Sequence, residues 1–85
     1  MKWYIVNTKF LTQKNGKEYK TFEIYIHTRP SGTEWRGAYK ELNIDYEKDC
    51  SFKTEVEATF AMNNSDKQLT TDRVISEDEL VILIL

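Results

Sequence analysis

The chain has little with which to staple, coordinate or attack. Its 85 residues include one cysteine, Cys50, one histidine, His27, and one proline, Pro30. A single cysteine excludes an intrachain disulfide, which suits a reducing compartment. One Cys and one His cannot assemble a Cys/His zinc site. The alternating carboxylates of Asp45-Tyr46-Glu47-Lys48-Asp49 lack the central glycine and terminal glutamate of an EF-hand loop. No metal or other cofactor is therefore expected. His27 could serve as the base for only one nucleophile, and nothing in the spacing sets it beside Cys50 or a serine. The three glycines, Gly16, Gly32 and Gly37, make neither a GxGxxG fingerprint nor a P-loop. Glu77-Asp78-Glu79 is the densest group of carboxylates and reads as a solvated turn guarding the apolar residues after it. These absences predict that the chain is not an enzyme.

Long hydrophobic runs are also missing. The longest, Leu80 to Leu85, has six residues, far short of the ~20 that cross a bilayer as a helix. The start, Met1-Lys2-Trp3-Tyr4-Ile5-Val6-Asn7, lacks the apolar stretch and small-residue cleavage site of a secretory signal. The expectation is a cytoplasmic chain with no membrane contact. No low-complexity tract or Pro/Ser-rich linker divides the sequence, and a chain this short buries only about 60–65% of its unfolded surface. Residues 1–85 are thus expected to form a single domain.

What is present is unevenly distributed. The net charge is −2, yet residues 1–40 hold eight Lys/Arg against three Glu, whereas residues 41–85 hold four Lys/Arg against eleven Asp/Glu. Such asymmetry points to an acidic partner for one surface, or to pairing of the two halves across neighbouring strands. Residues 3–11 and 18–28, rich in aromatic and β-branched types, flank Lys14-Asn15-Gly16-Lys17, a strong hairpin signal. A two-residue turn would pair Lys14 with Lys17. A three-residue loop with Gly16 left-handed would pair Gln13 with Lys17. Only the second separates the faces cleanly, with Tyr4, Val6, Phe10, Phe22, Ile24 and Ile26 on one side and Trp3, Ile5, Lys9, Tyr19, Glu23, Tyr25 and His27 on the other. A one-residue slip would reverse every side chain, so the three-residue loop is the expected register. The second face is then either partly exposed or covered by a later segment.

Further along, residues 33–44 support two readings. Trp35, Ala38, Tyr39 and Leu42 form a helical stripe, with Ser31 and Glu34 as a capping box. Gly37 opposes a helix, and Arg36-Ala38-Lys40-Leu42-Ile44 also reads as a strand. Phe52, Thr54, Val56, Ala58, Phe60 and Met62 alternate with Lys53, Glu55, Glu57 and Thr59 as in a strand with one wet face. A strand is expected from Gln68 to Val74. Leu80–Leu85, apolar on both alternating faces, is expected as a central or interface strand. The fold class is mainly β: a small five- or six-stranded, mostly antiparallel sheet or a partly open OB-like barrel, with one short helix at 33-43 under the helical reading. A long strand, the basic hairpin Lys14-Asn15-Gly16-Lys17-Glu18-Tyr19 and a second strand resemble, over residues 3–28 and at the level of fold, the opening of small OB-type domains. That resemblance implies a barrel that holds single strands on its sheet face.

Aromatic rings that stack on bases, interleaved with cations that follow phosphates, suit single-stranded nucleic acid. Trp3, Lys9, Lys14, Lys17, Tyr19, Tyr25 and His27 are the expected contacts, extended by Arg29, Trp35 and Arg36. The functional expectation is a non-enzymatic domain that binds single-stranded DNA or RNA through this basic aromatic hairpin face. The alternative is a small protein-interaction or inhibitor protein, as some very short viral proteins are. It would act through the aromatic patch, the acidic C-terminal surface or an edge strand, with Leu80–Leu85 also able to close a homodimer.

Overall fold

The computed structural model describes residues 1–27, 35–42 and 50–84. Strands β1 (Trp3–Thr12) and β2 (Glu18–His27) form a long hairpin, followed by β3 (Gly37–Glu41), helix α1 (Glu55–Asn63), β4 (Arg73–Ser76) and helix α2 (Glu77–Ile84). The strands make one antiparallel sheet in the order β3-β2-β1-β4. The hairpin takes the register expected from the sequence. Gly16 has φ +82°, Gln13 N–H donates to the Lys17 carbonyl at 2.8 Å, and Gly16 N–H donates to the Gln13 carbonyl at 2.9 Å. Asn15 Oδ1 accepts from Lys17 N–H at 3.0 Å, fastening the loop further.

Each face of the sheet is covered by one helix. Tyr4, Val6, Ile24 and Ile75 pack with Cys50 and Leu80 on one side, where Leu83 and Ile84 of α2 close the cluster. Ile5 and Tyr25 pack with Trp35, Phe52, Ala58 and Ala61 on the other, where Met62 of α1 adds to the cover. A buried side chain of this size contributes roughly 1.5–3 kcal/mol, so the two clusters hold the sheet between them.

Several expectations are corrected. The sheet is open, with β3 and β4 as its edges, so it is not a β barrel. The described residues contain four strands, not five or six. Residues 52–62 are not a strand: Thr54 caps α1, its Oγ1 accepting from Glu57 N–H at 3.1 Å. Ala58, Ala61 and Met62, at helical spacing, then turn towards the sheet. The segment expected as a central or interface strand, Leu80–Leu85, is helical over residues 80–84, which belong to α2, and Leu85 lies outside the described residues. Ser76 Oγ accepts from Glu79 N–H at 3.3 Å, and Glu77, Asp78 and Glu79 place negative charge in the first turn, where the helix dipole favours it. A dimer closed by strand pairing of this segment therefore has no strand to pair. The strand expected from Gln68 begins at Arg73. Of residues 33–44, Gly37–Glu41 is strand and not helix, while Ser31 and Glu34 lie outside the described residues. No helix among the described residues is long and apolar enough to cross a membrane.

Gly37 explains why β3 lies where it does. A Cβ at this position would drive into the Ile26 carbonyl oxygen and stand 2.8 Å from Tyr25 Cζ and 2.9 Å from His27 Cα. Backbone atoms cannot swing aside, so the β2–β3 contact requires a residue without a side chain here.

Candidate nucleic-acid interface

The strands β1 and β2 are longer than the body of the protein needs. Pairing with β4 involves only Trp3–Val6 of β1, and pairing with β3 involves only Glu23–His27 of β2 apart from one bond from Leu42 N–H to the Phe22 carbonyl. Beyond those limits the hairpin continues as a two-stranded ribbon, Thr8–Phe22, in which no residue is buried. Among the described residues, and apart from that one bond at Phe22, neither of its outer edges is paired with another strand. At ~3.4 Å per residue the free part of β1 extends about 17 Å, and the protein measures 46 × 25 × 18 Å.

The expected contact residues divide between ribbon and body. Lys9, Lys14, Lys17 and Tyr19 belong to the ribbon and are exposed, Tyr19 at 46% of its surface. Trp3, Tyr25, His27 and Trp35 belong to the body. Tyr25 is 0% exposed, Trp35 is buried, and Trp3 and His27 are half-buried. The His27 ring lies 4.2 Å from Phe52 and meets the edge of Trp35 at 5.1 Å, while its Nε2–H donates to the Ser51 carbonyl at 3.2 Å. The His27, Trp35 and Phe52 rings pack edge-on and tilted against one another, beside the residues leading into α1. Arg36 is exposed beside β3, and Arg29 lies outside the described residues.

Tyr25 also packs against Tyr39, with ring centroids 5.3 Å apart. The Tyr39 hydroxyl donates to Asp72 Oδ2 at 2.5 Å, with the Lys67 carbonyl oxygen 3.0 Å away, and Leu69 N–H donates to the same carboxylate oxygen at 2.9 Å. Asp72 thus ties the segment before β4 to β3. Burial pushes the Tyr25 phenol above its ordinary value of 10.0, with Ser65 acting in the opposite direction and the Asp66 and Asp72 carboxylates adding to the rise. Burial, then the hydrogen bond to Asp72, raises the Tyr39 phenol as well. Both are neutral structural groups at neutral pH.

Side-chain alternation gives the ribbon two unlike faces. Lys9, Leu11, Gln13, Lys17, Tyr19 and Thr21 share one, with Leu11 directly opposite Tyr19. Glu23 and Glu41 stand at its foot, lining a shallow cleft with Lys9 and Tyr19. Phe10, Glu18, Lys20 and Phe22 occupy the other, where Lys20 Nζ sits 5.9 Å from the Phe22 ring centroid. Phe10, placed by the expected register on the mostly apolar face, is 67% exposed because its strand outruns the helix that covers that face. Gln13, exposed, and Thr21, half-buried, are groups on the ribbon that reading by face did not single out. The available signal was length: ten-residue strands exceed the five or six residues typical of a small sheet.

Outside the ribbon, Val56 and Phe60 stand one turn apart on the outer side of α1, 80% and 49% exposed, in a groove with Glu55, Thr59 and Asn63. No cluster of three or more His, Cys, Asp or Glu able to hold a metal occurs among the described residues. Comparison with known proteins finds no family model, no curated protein and no solved structure that matches this chain.

Proposed function

We propose that this chain is a non-enzymatic nucleic-acid-binding domain and that its contact element is the hairpin ribbon, not the centre of the sheet. The observation that carries this reading is the placement of charge. Residues 8–22 hold four lysines and one glutamate, a net +3, which leaves −5 for the rest of the chain. A polyanion is attracted by the ribbon and repelled by the remainder, which fixes the end that approaches first. An isolated two-stranded ribbon is marginally stable in water, so an exposed one gains order from a ligand laid against it.

The test is a fluorescence anisotropy titration of labelled DNA at low salt. Binding that weakens steeply with added salt, and weakens further in a variant carrying Lys14→Ala and Lys17→Ala, supports the reading. Absence of binding at high micromolar protein overturns it. Lysines also protect exposed strand edges from aggregation. If the double variant aggregates while its DNA affinity is unchanged, that protection is their role.

The exposed pair Val56 and Phe60 favours a second reading, a protein-interaction or inhibitor role centred on α1. Apolar side chains grouped on a small protein mark contact surfaces. Retention of a defined protein partner by the parent chain, and its loss with Val56→Ser and Phe60→Ser in a folded variant, would support that role.

A further inference from the structure

Resting on the ribbon reading above, we propose that the nucleic acid is double-helical B-form DNA, entered through its major groove by the ribbon face that carries Lys9, Gln13, Lys17 and Thr21 around Leu11 and Tyr19.

A site for single strands stacks successive bases on a row of exposed rings. The rings that would make such a row on this face are packed into the body: Tyr25 and Trp35 are buried, and Trp3 and His27 are half-buried. Tyr19 is the one ring this face of the ribbon presents, so it offers a stack for a single base. Its remaining groups are of another kind. Lys9 and Thr21 on one side along the ribbon, and Gln13 and Lys17 on the other, supply hydrogen-bond donors, and the cross-strand pair Leu11–Tyr19 between them supplies an apolar centre. The major groove presents the complement: guanine O6 and N7 accept from lysine, adenine N7 and N6 pair with glutamine, and the thymine methyl meets apolar side chains.

Dimensions agree with this assignment. Two strands about 4.8 Å apart, with side chains on both faces, make a ribbon roughly 10 Å thick. The B-form major groove is about 12 Å wide and 8.5 Å deep and admits a two-stranded ribbon. Lys14, in the loop at the tip, extends the positive charge to the end that enters first. At the foot, Glu23 and Glu41 share the reading face and end the cationic stretch, so the DNA meets positive charge along the ribbon and carboxylates where the body begins. The opposite face is a poorer reader. Glu18 and Lys20 cancel in charge, Lys20 lies over the Phe22 ring, and Phe10 supplies no donor.

The experiment compares three labelled probes with the full chain: a short mixed-sequence DNA duplex, one of its strands alone, and an RNA duplex of the same sequence. An RNA duplex has a deep, narrow major groove that side chains cannot read. The DNA duplex should bind about tenfold or more tightly than either other probe, a preference worth one well-placed groove contact. Lys9→Ala and Lys17→Ala should each lower the slope of log affinity against log salt by about one. Phe10→Ala, on the opposite face, should leave duplex affinity unchanged. Equal or tighter binding of the single strand or the RNA duplex overturns the groove assignment while leaving the ribbon as a nucleic-acid contact. Duplex binding that falls with Phe10→Ala and not with the lysine variants also overturns it. Failure of all three probes to bind overturns the ribbon reading itself.

Discussion

Tyr19 and Tyr25 stand on the same face of the same strand, six residues apart, and lead opposite lives. Tyr25 is 0% exposed, packed against Tyr39 in the cluster beneath α1, whereas Tyr19 is 46% exposed on the ribbon. Nothing in the alternation of β2 separates them. The difference is made by segments distant in sequence, because helix, Trp35 and Phe52 cover the sheet only where β3 and β4 widen it. Face is a local property of a strand, and burial is a property of what crosses it. One continuous hairpin is core in its inner half and lies open in its outer half.

The largest expected effect breaks that pair apart. Tyr25→Ala should cost about 3–5 kcal/mol, the range for truncating a buried aromatic, which is a large share of the roughly 5–15 kcal/mol that holds a small domain folded. Tyr19→Ala should stay within about 0.5 kcal/mol, as exposed substitutions do. Urea denaturation followed by circular dichroism measures both. Similar losses for the two would mean that the ribbon is as firmly covered as the body.

Glycines allow the same contrast on the backbone. Gly37→Ala places a methyl group against the Ile26 carbonyl oxygen and the Tyr25 ring, and overpacking of this kind costs about 1–3 kcal/mol. Hydrogen exchange should show the β2–β3 amides losing protection before those of β1–β4. Gly16→Ala meets no neighbouring atom, but its φ of +82° disfavours any side chain. The expected cost is about 1–2 kcal/mol, appearing as a frayed ribbon with the body intact.

The two helix caps come next in size, and they also explain what could be read in advance. Thr54→Ala and Ser76→Ala should each cost about 1 kcal/mol by removing the acceptor for an N-terminal amide, measured as a shift in the urea midpoint. Thr54-x-x-Glu57 and Ser76-x-x-Glu79 both have capping-box spacing. The alternation of Phe52, Thr54, Val56, Ala58, Phe60 and Met62 suggests a strand, but the same segment also places Ala58, Ala61 and Met62 at helical spacing. A short apolar run such as Leu80–Leu85 has no periodicity that distinguishes strand from helix. The hairpin register was legible because an Asn-Gly turn and a two-sided pattern are local signals. The exposure of the aromatic face was not. Reading residues 52–62 as a strand took away α1, which packs in one cluster with Trp3 and Tyr25, and so made a core look like a binding platform. Of the expected site, Lys9, Lys14, Lys17 and Tyr19 remain at the surface because they lie on the part of the hairpin that no later segment among the described residues buries.

The smallest effect at neutral pH concerns a single oxygen, and it separates packing from polarity within the body. The Tyr25 hydroxyl is buried and has no well-formed hydrogen bond among the described residues. Tyr25→Phe keeps the ring and removes a polar group whose hydration folding had already sacrificed, so its stability at pH 7 should be equal to or slightly above that of the parent. Alkaline pH should widen the difference. Because the folded phenol is held above the ordinary value of 10.0, it stays protonated while the unfolded phenol ionises. Well below pH 10 both states are neutral and the group contributes no pH dependence. As pH rises past 10 the unfolded state binds fewer protons than the folded state, and stability falls. The Phe variant lacks that phenol and should lose less stability between pH 9 and pH 11, with Tyr39 still contributing its own decline in both proteins. Urea midpoints across that range decide the matter. Parallel declines in the two proteins would mean that Tyr25 is as hydrated as an unfolded tyrosine, and the distinction drawn between the covered and open halves of β2 would fail at the residue on which it most depends.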